Sequence, residues 1–230
     1  MNEMLSQSVF FGVAISLLFY QVGMYIQKKT KFPLANPLLI AVILIISVLL
    51  LLDIEYTTYK NGAQYIEFFL TPVTVCLAIP LYRQLEYLKK YPVAVFVSIT
   101  AGVFMALGSI YIMSFLFGLE HQDYVSLLPK SITTAIGKGI TEKYDGIVPI
   151  TIIGISITGV MGNVMAESLC KWLRITEPVA KGLAIGTASH ALGTSKAMEI
   201  GEVEGAMSSL SIVVAGILTV IIVPLFANLI

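Results

Sequence analysis

Residues 92–117 read PVAVFVSITAGVFMALGSIYIMSFLF, with no Asp, Glu, Lys, Arg or His among them. A helix needs ~20 mostly apolar residues to cross the hydrocarbon core of a bilayer, so this stretch is long enough to span one. The rest of the chain has the same character. Its 230 residues are 57% hydrophobic and 12% charged, with a mean hydropathy of +0.89. Soluble domains carry roughly 25% charged residues. A chain this short and apolar cannot hide its surface from water and needs a lipid solvent.

Working outward from 92–117, further apolar segments run at about 4–26, 34–52, 64–88, 125–141, 147–172, 178–198 and 203–228. The linkers are short, which predicts a single membrane domain, 1–230. The expected fold is an all-α integral membrane protein with about seven transmembrane helices plus one re-entrant or broken segment. The stretch Met4 to Ile26 is preceded by Glu3 rather than a basic region and lacks a clear cleavage site, so it reads as a helix that stays. Cys76 and Cys170 have no metal-like spacing and read as small buried hydrophobes. No metal site or cofactor is expected. The formal net charge of zero gives no ground for a nucleic-acid partner, and none is expected.

Charge placement sets an orientation. Lys28, Lys29 and Lys31, then Arg83, Lys89 and Lys90, then Lys171, Arg174 and Lys181 fall in alternate linkers. The linkers between them hold Asp53 and Glu55, Glu120 and Asp123, and Glu199, Glu202 and Glu204. The positive-inside rule then predicts a multi-pass cell (inner) membrane protein with its N-terminus outside and its C-terminus cytoplasmic. Segment 147–172 already crosses from the Glu120 side to the Lys171 side. Segment 125–141, which contains Pro129, Lys130 and Lys138, must therefore dip in and return, or be a broken helix packed inside protein. Irregular backbone at membrane depth is tolerated only in such surroundings.

Two proline stretches align at an offset of 57 residues, Leu70-Thr71-Pro72-Val73-Thr74 and Leu127-Leu128-Pro129-Lys130-Ser131. They suggest an internal repeat with units at about 34–90 and 92–148. Proline breaks a helix and suits the first turn of the next one. The amides after such a break lack partners and carry the positive end of the dipole, which favours an anion. Thr71, Thr74, Ser131, Thr133 and Thr134 add hydroxyls there. Paired broken segments are a pointer to a transporter's substrate site. The plainer alternative is that both prolines only kink packed helices, with Ser and Thr bonding back to carbonyls.

The run from Gly182 to Ser195 holds Gly182, Gly186 and Gly193, a candidate close-packing seam. Read as one helix, it aligns Thr187, His190 and Thr194 in a polar stripe. His190 lies mid-segment, where ionisable groups are usually functional. Proton coupling or carboxylate binding competes there with a plain helix–helix hydrogen bond. Glu204 and Ser208 share a face, and Glu204 reads equally as a cap or as a coupling group. Gly154, Thr158 and Gly162 read as a helix contact. Ser189 and His190 are sequence neighbours, so on a helix they point about 100° apart and make a poor catalytic couple. No enzymatic activity is expected.

These stretches resemble the LrgB/CidB membrane protein family, whose plant relative is the plastidial glycolate/glycerate translocator. The matching runs are residues 69–82, 128–134 and 180–210, the last including His190-Ala-Leu-Gly193-Thr194 and Glu204-Gly205-Ala-Met-Ser208. Ala135 and Asp145-Gly146 depart from the family's expected proline and glycine-rich run. The resemblance implies either transport of small monocarboxylates such as pyruvate, lactate or glycolate, or antiholin-like regulation of murein hydrolase export and cell lysis. It also implies a small LrgA/CidA-type membrane partner, and a homo-oligomer is expected. The broken segments favour transport of a carboxylate anion. The expected substrate residues are Thr71, Pro72, Thr74, Pro129, Lys130, Ser131, Thr133, Thr134, Ser189, His190, Thr194 and Ser208, with His190 and Glu204 as coupling groups.

Overall fold

The computed structural model describes residues 10–30, 37–69, 72, 75, 76, 79, 82, 89 and 92–230. Among these residues every regular element is a helix. The chain divides into two compact units, Met1–Cys76 and Leu77–Ile230.

The first unit holds α1 (Phe11–Thr30), α2 (Pro37–Leu51) and α3 (Tyr56–Phe68). Glycine lets α1 approach its neighbours closely. A Cβ on Gly23 would meet the Pro37 backbone, and one on Gly12 would meet the backbone of Tyr59, Gly62 and Ala63. Ser16 Oγ donates to Gly12 O at 2.7 Å and pairs with the Tyr59 hydroxyl at 2.9 Å. Helix α3 starts earlier than the expected span at 64, in polar sequence that carries no apolar signal. Most of that span, with Thr71 and Thr74, lies outside the described residues. So do Leu70 and Val73, leaving Pro72 as the described residue of the first proline stretch.

The second unit holds α4 (Pro92–Phe117), α5 (His121–Leu127), α6 (Thr134–Lys143), α7 (Val148–Trp172), α8 (Pro178–Ile200) and α9 (Glu202–Ala227). Among the described residues, α4, α7 and α9 are the helices long and apolar enough to cross a membrane. Along α4, Val95, Ile99, Val103, Leu107 and Ile110 recur three and four residues apart and are buried. That spacing places them on one face. Phe96, Val97, Phe104, Ile112 and Phe115 stay exposed, as suits a helix whose other side meets an apolar solvent.

Segment 125–141 forms a helical hairpin. Helix α5 enters, residues 128–133 turn, and α6 runs back. The two arms share a level on α7. Thr151 Oγ1 donates to Ser126 O at 2.9 Å and pairs with Thr141 Oγ1 at 2.7 Å. One turn deeper, a Cβ on Gly137 would lie 3.5 Å from Thr151 Cγ2 and 3.6 Å from Pro129 Cβ. Proline ends the first arm because it blocks helical continuation for the residue before it and removes a donor.

Segment 178–198 was expected as one continuous helix, and the structure breaks it. Helix α8 breaks at His190, where φ is 43° and ψ is −140°. A straight helix would rise about 12 Å from residue 185 to residue 193. Instead a Cβ on Gly193 would lie 3.1 Å from Ile185 O. The chain has doubled back. The first arm, 178–189, lies parallel to the start of α9, with Gly182 on the Glu204 backbone and Gly186 on that of Ser208. The second arm, 191–200, lies antiparallel to it, with Thr194 Oγ1 2.7 Å from Ser208 Oγ and Met198 against Gly205. Ile175 and Ile200, at the two ends of the hairpin, pack on one cluster of Ala166, Cys170, Ile185 and Ala197. The polar stripe expected of Thr187, His190 and Thr194 is thereby split between two arms.

The fold-back also bears on which end of the unit the C-terminus reaches. Ile230 O lies 2.6 Å from His121 Nδ1, and the Tyr124 hydroxyl donates to Phe226 O at 2.8 Å. The end of α9 therefore shares an end of the unit with the loop around Glu120. The sequence count had placed the two on opposite sides.

Candidate functional site

The hairpin tips meet on consecutive residues of α7. At the first tip, a Cβ on Gly154 would lie 3.9 Å from Lys130 Cβ. At the second, His190 Nε2 lies 3.0 Å from Ile155 O. A carbonyl only accepts, so Nε2 carries a proton in this arrangement. The His190 ring rests on Gly159, where an added Cβ would lie 2.6 Å from Cε1, and Ser189 fills the space over Gly162. Asn163 Nδ2 donates to Leu192 O at 2.7 Å and to Ser195 Oγ at 3.1 Å, tying the second arm to the same helix. The Lys196 ammonium bridges Glu167 and Glu199 at 3.8 and 3.0 Å further along.

His190 adopts a positive φ close to the first central position of a type II′ turn, which favours glycine. Such strain amounts to about 1–3 kcal/mol and persists only where the surroundings over-determine it. Here the determinants are the bond to Ile155 and the contact with Gly159. Thr194 Oγ1 also donates to His190 O at 3.0 Å.

Beside the tips is a cavity of about 560 Å³. Its walls are Ser98, Gly102, Met105, Ala106 and Ser109 of α4, Lys130 and Ser131 of the first tip, and Ala180, Leu183, Ala184, Thr187 and Ala188 of the first arm of α8. Lys130 is half-buried, and Nζ donates to Ser131 Oγ at 3.1 Å. Among the described residues, no carboxylate pairs with it. An ammonium has three donors, so this cavity wall offers a positive charge with hydrogen-bonding capacity to spare.

The expected site residues divide accordingly. Lys130 and Ser131 line the cavity, with Pro129 fully buried behind them. Thr133 is half-buried ahead of α6, and Thr134 is exposed. Ser189 and His190 pack on α7, while Thr194 and Ser208 bond to each other with no exposed surface. Glu204 is buried near the start of α9, its carboxylate folded against Gly201. None of these last five lines the cavity. Pro72 is helical, exposed and part of the first unit. Sequence reasoning missed the contribution of α4, Gly102 above all, and it placed Thr187 on a stripe rather than in a cavity wall. The signal available was small and hydroxyl residues in 98–109 inside an otherwise bulky span.

Fold and site together define an all-helical membrane protein built around two opposed helical hairpins. The chain belongs to the LrgB-like family, whose model matches residues 16–229. It is 38% identical over 226 residues to the antiholin-like protein LrgB of Bacillus subtilis (strain 168), covering 98% of each chain. It is also 38% identical to the proteins of that name from Bacillus mycoides (strain KBAB4) and Bacillus cereus (strain B4264), covering 94% of this chain and 95% of each of those. No solved structure matches the chain.

Proposed function

We propose that this protein transports small monocarboxylate anions of the pyruvate, lactate or glycolate class, with the cavity at Lys130 as the substrate site. One observation carries the reading: two helical hairpins from opposite ends of the unit bring their tips to Gly154 and Ile155. Broken helices that meet near mid-membrane are how transporters build substrate sites. Such backbone is tolerated in a bilayer only around protein or a wet cavity. An unpaired ammonium in an apolar wall suits one negative charge. His190 would couple transport to protons through Nδ1, because Nε2 is committed to Ile155 O. Glu204 would assist from the base of α9. A small LrgA/CidA-type partner and self-association belong to the same reading.

The positive-inside rule assigns the Lys171, Arg174 and Lys181 end to the cytoplasm. The C-terminus then lies outside with the Glu120 loop, and this replaces the cytoplasmic placement taken from the sequence.

The name of the relatives, antiholin-like protein, favours a second reading, regulation of murein hydrolase export and cell lysis. Uptake into proteoliposomes separates the two. Labelled pyruvate, lactate and glycolate are presented with and without a proton gradient. Transport predicts saturable uptake that unlabelled acid competes away and that an inward proton gradient enhances. Absence of saturable uptake for all three acids, or a leak that also passes unrelated solutes, would sink the transporter reading in favour of the second.

A further inference from the structure

The hydroxyls around the cavity are already engaged. Ser98 Oγ donates to Ala94 O at 2.6 Å, and Ser109 Oγ donates to Ala106 O at 2.8 Å. Ser131 Oγ accepts from Lys130 Nζ, and Thr187 Oγ1 is closed off beneath the surface. Among the side chains of these walls, the Lys130 ammonium is the one left to hold a polar ligand group.

The rest of the wall is apolar and shaped as a slot. On the first arm of α8, Ala180, Ala184 and Ala188 recur every four residues, line the cavity and are exposed. That spacing puts them on one face. On α4, Gly102 and Ala106 share the same spacing in the other wall. Small side chains on both walls leave an open strip between the helices. Ser131 and Thr187 also share a void of about 10 Å³, which sets the Lys130 tip at the Thr187 end of the strip. From Thr187 to Ala180 the arm rises about 10 Å. A hydrocarbon tail with C–C bonds of ~1.5 Å advances about 1.3 Å per carbon, so about eight carbons cover that length. The volume agrees. At roughly 30 Å³ for a water-sized group in a liquid, the 560 Å³ of the cavity far exceeds what pyruvate fills.

We infer that this slot binds the tail of an unbranched monocarboxylate of about four to eight carbons, with Lys130 on the carboxylate. Short- and medium-chain fatty acids are thereby held more tightly than three-carbon acids. This rests on the monocarboxylate reading of the cavity and extends it in chain length. A fully buried methylene raises affinity about fourfold, and in a slot open on one side about twofold is expected. The gain ends where the tail passes Ala180.

The test is displacement of labelled pyruvate from the purified full-length protein in detergent by propionate, butyrate, hexanoate and octanoate. Micelles absorb the longer acids and lower their free concentration, so they work against the expected trend. In the parent, the half-displacing concentration is expected to fall about twofold per added methylene. Ala184→Leu places a bulky side chain midway along the slot. It is expected to leave propionate unchanged and to end the gain beyond about four carbons. Octan-1-ol, which has the tail without the charge, is expected to displace far less than octanoate. A flat or rising series in the parent overturns the proposal and leaves the monocarboxylate reading in place. The same holds for a series unchanged in Ala184→Leu, and for octan-1-ol as effective as octanoate, the sign of a general lipid-like effect. If labelled pyruvate shows no displaceable binding, the monocarboxylate reading falls and this proposal with it. If Ala184→Leu is not recovered folded, Ser98→Leu in the α4 wall is read by the same criteria.

Discussion

His190 Nε2 lies 3.0 Å from the carbonyl oxygen of Ile155, and this bond holds the tip of the second hairpin against α7. It joins a residue with positive φ to the third turn of α7. His190→Ala removes the donor but keeps the unfavourable backbone, so it should destabilise the protein by about 1–3 kcal/mol. A fall in the unfolding temperature in detergent measures this. His190→Gln keeps a donor but cannot titrate. If His190 carries the coupling proton, the glutamine variant loses the parent's change in uptake between about pH 5.5 and 8, the histidine range. A profile that follows the parent's throughout would reduce His190 to a structural pin.

The crossing of α8 and α9 makes a sharper stability prediction. A Cβ on Gly186 would lie 2.7 Å from Ser208 Cα, a backbone atom that cannot rotate away. Gly186→Ala must push the first arm off α9, and overpacking of this kind costs about 1–3 kcal/mol. Gly108 on α4 is the control, with nothing within 4 Å of its added Cβ. Gly108→Ala should be neutral or stabilising by up to about 1 kcal/mol, since alanine is the better helix former. Equal unfolding temperatures for the two variants would contradict the crossing.

Lys130 is the charge expected to recognise the anion. Lys130→Gln should cut monocarboxylate uptake at least about tenfold at matched protein levels, since hydrogen bonds to charged groups contribute about 1.5–3 kcal/mol. Fluorescence size exclusion before and after reconstitution checks those levels. Uptake equal to the parent's would leave the ammonium without a role in binding.

The membrane topology can be read by cysteine labelling. Glu120, Glu177 and Asn228 are exposed. In a background with Cys76 and Cys170 replaced, Glu120→Cys and Asn228→Cys should react with an impermeant maleimide from one side. Glu177→Cys should react from the other. Labelling of positions 120 and 228 from opposite sides would restore α8 as a full crossing.

The sequence by itself determined the apolar solvent, the helical class and a break in segment 125–141. Composition demands lipid, and Pro129 announces a break because its ring cannot sit inside a helix. The charge map left segment 125–141 to return or to break inside protein, and the structure makes it a hairpin with Lys130 and Ser131, candidates on sequence grounds, at its turn. The second hairpin was not legible in this way. No proline stands near its tip, and the residue at the turn is a histidine in a backbone conformation that its own chemistry disfavours. That conformation is imposed from outside, by Ile155 and Gly159 on α7 and by Ser208 on α9. Such contacts join residues far apart in the chain, and no local pattern encodes them. A run of small and hydroxyl residues with glycines reads the same whether it spans a bilayer or folds back within one. Only the tertiary structure decided between the two. With that choice came the end of the unit at which the C-terminus lies, the partition of Thr187 from Thr194, and the cavity beside Lys130.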